Sequence, residues 1–166
     1  MNIKNFKKKC QAPLFWKIVP GTIFFILVGV LFSACQKEAK SKQVCFKNKC
    51  FDVEIALTQE EQIKGFQFRK ELDKNSGMLF VFSDLQNHYF WMKDTLIFLD
   101  MIWLDQNRQV VHIEENVPPC TKDPCKNYSG IKSSLYVLEI NPGLARRNNI
   151  QVGDQADIRT SHENSQ

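Results

Sequence analysis

The chain has 166 residues, 43% hydrophobic and 24% charged, with a formal charge of +4. That suits one domain with appendages, and no repeat, heptad or low-complexity segment argues otherwise. The positive charge is no argument for a nucleic-acid partner. Lys4, Lys7, Lys8, Lys9 and Lys17 lie in the first 34 residues, which hold no acid, and without these five lysines 17 Lys+Arg face 18 Asp+Glu.

Those first residues have the layout of a secretory signal. A basic stretch precedes an apolar run over 18–32, which ends in Phe32-Ser33-Ala34-Cys35. The run is shorter than the ~20 residues a membrane-spanning helix needs. Its end resembles the bacterial lipobox, with Phe32 where Leu is usual, so Cys35 is the expected lipidation site; an uncleaved anchor helix is the alternative. The expected organisation is a signal over 1–34, a polar tether over 35–43, one domain over 44–159 and a disordered polar tail over 160–166. Gln36 after the cysteine resembles an outer-membrane sorting signal. The expected location is therefore the cell envelope, lipid-anchored, on the periplasmic side of an outer membrane if the cell has one.

Past the tether, Phe51, Val53, Ile55 and Leu57 alternate with polar or small residues and predict a half-buried strand. Thr58 and Glu61 then form a capping box that starts a short helix. Strands are expected over 77–82, over the aromatic stretch 88–92 and over the apolar run 96–104. A turn at 105–108 leads into a hairpin partner over 109–113. A long loop over 116–133 and a strand over 135–140 follow. Asn141-Pro142 is expected to cap a second helix, and a last strand spans 155–158. Gly77, Gly143 and Gly153 read as turn glycines. The expected class is α+β, mostly β: a small curled sheet or partly open barrel with two short helices.

Four cysteines belong to the domain, as two C-x₄-C units. In an oxidising compartment local disulfides are expected, Cys45 with Cys50 across a hairpin and Cys120 with Cys125 around a polar loop. Closing so small a loop contributes roughly 2 kcal/mol. A four-thiolate zinc site is the alternative. No nucleophile elbow, zinc-protease helix or phosphate-binding glycine loop occurs, so neither a catalytic set nor a cofactor nor a metal is expected. Ser129 and Lys132 match S-x-x-K without its partner motifs. His88, His112 and His162 lack ligand spacing and read as structural or surface residues.

Three segments resemble one known family: 65–69 with 77–82, 90–100, and 136–140 leading to Gly143, Gly153 and Asp154. Together they resemble domain-of-unknown-function family 192 over about 44–159, as does the Pro118-Pro119-Cys120 to Cys125 loop. The resemblance implies a compact β-rich domain and no established activity. The chain departs from it at Phe66-Gln67, usually Leu-Met, at Asp94, usually Asn, and at Phe98, usually Pro.

The candidate ligand-binding surface is Arg69, Trp91, Lys93, Asp94, Thr95 and Asp100. Alternation puts Tyr89 and Trp91 on one side of their strand and His88, Phe90 and Met92 on the other. Asp100 interrupts an apolar run and needs a partner, which Lys93 or Arg69 can supply. Either these residues line a cleft with an aromatic wall, suited to a sugar or peptide, or they form a buried ion pair that fixes a sharp connection. Glu139 either faces solvent or pairs with Asp100. The leading function is a non-enzymatic binding or accessory module, held to the membrane by its lipid, for a cell-wall, glycan or protein partner. The alternatives are a hydrolase using Asp94, Asp100 or Glu139 as acid and base, and a purely structural domain.

Overall fold

A computed structural model of the chain describes residues 42–159. The signal segment, Cys35 and the tail lie outside the described residues. Among the described residues nine strands and two short helices occur, in the order β1 (Gln43–Phe46), β2 (Lys49–Ala56), α1 (Gln59–Lys64), β3 (Ser76–Gln86), β4 (Tyr89–Trp91), β5 (Leu99–Leu104), β6 (Val110–Val117), β7 (Asn127–Ser129), β8 (Ser134–Ile140), α2 (Leu144–Arg147) and β9 (Ala156–Arg159). Seven strands form one sheet in the order β6-β5-β8-β3-β2-β1-β9, and β4 pairs with β7 separately. All pairings are antiparallel except β2 with β3, whose crossover carries α1. Parallel neighbours need such a connection, because a tight hairpin cannot reverse the chain twice.

The sheet curls until its two edges meet. Gln109 bridges to Gln155, the Val110 N–H donates to the Asp154 carbonyl and the Ala156 N–H donates to the Arg108 carbonyl. This is the curled, mostly β architecture expected from the sequence. The alternation of each strand sorts its side chains into two cores. Val44, Phe51, Leu79, Ile102, Leu138 and Ile140 pack on one face, with Leu144 and Ala145 of α2. Met78, Phe80, Met101, Trp103 and Val137 pack on the other, beneath Phe66, Phe90 and Met92. Because β5 is covered on both faces, all six of its residues are buried, which is why its sequence is a run rather than an alternation.

Local chemistry places the ends. Thr58 Oγ1 accepts from the Glu61 N–H at 3.2 Å and Glu61 accepts from the Thr58 N–H at 2.9 Å, the expected capping box. Cys45 and Cys50 are direct partners in the β1–β2 hairpin and are disulfide-bonded, as are Cys120 and Cys125.

Several expectations are corrected. β1 begins at Gln43, inside the stretch read as tether. β5 begins at Leu99, and Leu96 and Phe98 are exposed, so apolarity overstated the strand. β6 extends to Val117, and the supposed loop contains β7, which pairs with β4. Gly143, not Asn141, is the N-cap of α2; the Asn141 amide instead donates to the carbonyls of Leu72 and Asp73. Gly77 is no turn residue but lies within β3. A Cβ there would come within 2.5 Å of the Glu139 carbonyl oxygen and 2.9 Å of Ile140, so close approach of β3 and β8 requires its missing side chain.

Candidate functional site

A cavity of about 360 Å³ opens on the second face of the sheet. Its floor is Phe80 of β3 and Glu139 of β8, next to Met78 and Met101 in the sheet register. One wall is the end of α1 with the turn through Gly65, Phe66 and Gln67. The opposite wall is Tyr89, Phe90 and Trp91 of β4, with Asn127 of β7. The walls are tied together where Gln67 bridges to Thr95 and the Phe68 N–H donates to the Asp94 carbonyl at 2.8 Å. Phe90 meets Phe80 edge to face with centroids 4.9 Å apart, a favourable geometry for aromatic pairs. Period-two alternation buries Phe90 and leaves Tyr89 70% and Trp91 47% exposed at the mouth.

Glu139 is the chemically unusual group. It is 4% exposed, and among the described residues no hydrogen bond or ion pair reaches its carboxyl. Burial alone pushes that carboxyl up to about 8, because no neighbouring charge repays the loss of water. Among the described residues it is also the only acid of the cavity lining; the other charged groups there are Lys64 and Lys93. Gln62, Gln67 and Asn127 also line the cavity, but the amide N–H groups of Gln62 and Gln67 are given to the backbone carbonyls of Ala56, Val81 and Ile63 and not to Glu139.

Of the residues singled out from the sequence, the fold brings Trp91, Lys93 and Thr95 to this cavity and not the others. Lys93 Nζ stands 5.9 Å from the Trp91 ring centroid and 4.0 Å from Asp123. Arg69 makes a two-pronged ion pair with Glu54, at 2.5 and 2.6 Å, which holds the Glu54 carboxyl below its ordinary range and raises the guanidinium. Asp94 is exposed at φ 57°, a left-handed position that Asp and Asn tolerate better than most side chains. This conformation is the physical reason that an amide suits the position too.

Asp100 is fully buried, yet neither Lys93 nor Arg69 is its partner. Its carboxylate accepts from the backbone N–H groups of Asn116, Gly143 and Ala145 at 2.8 to 2.9 Å. It lies opposite Ile140 in the register, whereas Glu139 lies opposite Met101, so the two acids point to opposite faces and do not pair. Asp100 thus caps the start of α2 and the end of β6. The sequence reading named Glu139 as a candidate acid but left it out of the binding surface, and it missed Phe80 and the amides. Val137 and Glu139 share a strand face, so an acid on an otherwise apolar face was the available signal.

The chain matches the family model of DUF192, described as an uncharacterized ACR, over residues 42–158. It belongs to domain-of-unknown-function family 192. No curated protein matches it. Among solved structures it resembles a protein of unknown function from Novosphingobium aromaticivorans, at 35% identity and a TM-score of 0.65, covering 69% of this chain and 83% of that one. It also resembles a candidate transcription regulator from Sinorhizobium meliloti, at 25% identity and a TM-score of 0.66, covering 71% of this chain and 93% of that one.

Proposed function

We propose that this family-192 chain is an envelope lipoprotein, tethered through a lipid on Cys35, and that its cavity binds a polar group of a cell-wall, glycan or protein partner. The supporting observation is Glu139, alone at the floor of an aromatic-walled cavity. Binding sites combine apolar walls with a few placed polar groups, and this one has exposed rings at its mouth and amides within. Binding is favoured over hydrolysis by the acid count. Two-carboxylate glycoside chemistry needs a second acid within ~5–10 Å facing the same substrate. Asp100 faces the opposite core and its lone pairs are taken by backbone N–H groups. The exported, anchored setting rests on the sequence of the first 36 residues.

Two measurements test this. Detergent-solubilised full chain is screened by thermal shift against fragments from digested cell walls and against short glycans and peptides. A saturable stabilisation that Trp91→Ala abolishes supports binding in the cavity; no stabilisation by any fraction, or one unchanged in Trp91→Ala, refutes it. Cells fed a fatty-acid analogue should label the parent and not Cys35→Ser, and equal label in both refutes the anchor.

A further inference from the structure

The cavity holds one buried acid, and neither lysine of its lining, Lys64 or Lys93, makes an ion pair with it. Six aromatic residues line it, Phe66, Phe80, Phe82, Tyr89, Phe90 and Trp91, and the one acid among them has no partner. A buried acid is normally compensated by a cation or by donors, as Asp100 is on the other face of the same sheet. Here the fold provides space instead of a donor. We propose that the group this cavity takes is an organic ammonium, with Glu139 as its counter-charge and the aromatic walls as its lining. The inference rests on the cavity being a binding site, and it names the chemistry of the ligand.

Three features converge on that class. Aromatic rings attract cations through their quadrupoles, most strongly where water is displaced, and rings around a substituted ammonium are a recurrent solution. A carboxylate beside them adds the full opposite charge, whereas it would repel an anionic group. Lys64 and Lys93 stand exposed in the lining, and Lys93 already lies over Trp91. A ligand basic over its whole surface is therefore disfavoured. A single ammonium on the tip of a neutral or zwitterionic group fits, the tip reaching Glu139 past the mouth.

The proton balance follows. Burial keeps Glu139 protonated up to about 8 in the empty site, so an entering ammonium keeps its own charge and displaces the carboxyl proton to solvent. The titratable groups that share the lining with Glu139 are Lys64 at the end of α1, Tyr89 on β4 and Lys93 just beyond it, and neither lysine's charge offsets the burial of its carboxyl. The residues that β3 and β5 present, Met78, Phe80, Phe82 and Met101, do not titrate. Affinity for a permanent cation should thus rise with pH, by roughly tenfold per pH unit well below 8.

The test uses the full chain in an uncharged polyoxyethylene detergent, titrated calorimetrically with choline and with its uncharged isostere, in which carbon replaces the quaternary nitrogen. The expected result is choline bound at least about tenfold more tightly than the isostere, with the preference gone in Glu139→Gln. Should Glu139→Gln fail to fold, the pH dependence of choline binding to the parent decides: a rise between pH 6 and 8 supports the proposal and a flat profile overturns it. Equal affinity for choline and the isostere overturns the ammonium assignment while leaving the cavity a binding site. The same holds if cell-wall fragments bind in a Trp91-dependent way and choline neither binds nor competes. If neither choline nor any fragment binds, this inference and the binding function both fall.

Discussion

Glu139→Gln should change how stability depends on pH, and the size of the change follows from the site. The side chain keeps its shape and loses its titration. In the parent, burial moves the carboxyl from its ordinary 4.5 to about 8 in the folded chain, while the unfolded chain titrates near the ordinary value. The folded state thus holds a proton that the unfolded state has released throughout that window. Stability is greatest below about 4.5, falls as pH rises through the window and levels above about 8. At ~1.4 kcal/mol per pH unit the ceiling on the loss is about 5 kcal/mol, a large share of the 5–15 kcal/mol typical of a domain. The assay is urea unfolding of the full chain, parent and Glu139→Gln, at pH 5, 7 and 9. Every other titrating group is common to both proteins and cancels in the difference. Glu139→Gln should match the parent within about 1 kcal/mol at pH 5 and exceed it by about 3–5 kcal/mol at pH 9. A difference that does not change with pH would show that Glu139 ionises freely in the folded chain, and the picture of an uncompensated buried acid would fail.

Asp100→Ala leaves three backbone N–H donors without their acceptor, that of Ala145 buried and those of Asn116 and Gly143 partly so, and should cost about 3 kcal/mol in the same unfolding assay, with Asp100→Asn less damaging; a loss under about 1 kcal/mol would contradict its capping role. Gly77→Ala drives a methyl into the β8 backbone and should cost about 2 kcal/mol or more, read as a lower urea midpoint; an unchanged midpoint would mean that β3 and β8 separate freely. Asp94→Asn should be neutral within about 0.5 kcal/mol, whereas Asp94→Val should cost about 1–2 kcal/mol, because only the second conflicts with a φ of 57°. Equal costs for the two would show that charge, not conformation, sets that position.

Much of this domain is legible from local rules. The capping box of Thr58 and Glu61, the alternation of β2 and the Cys45–Cys50 hairpin depend on residues a few places apart, so spacing suffices to read them. The exposure of Tyr89 and Trp91 against the burial of Phe90 follows from a period of two. Which of the two alternating faces is lined, covered or left open is not local. The curl that brings β6 to β9, and the placing of α1 and the β4–β7 pair over the second face, arise from contacts distant in the chain. For that reason two acids in interior strands have opposite fates. Asp100 faces the core where the ends of β6 and α2 offer three N–H groups. Glu139 faces the side where α1 and β4 stand apart and leave a cavity. Sequence alone marks both as acids in apolar strands; only the packing of the covering elements decides that one is compensated by backbone dipoles and the other faces a cavity.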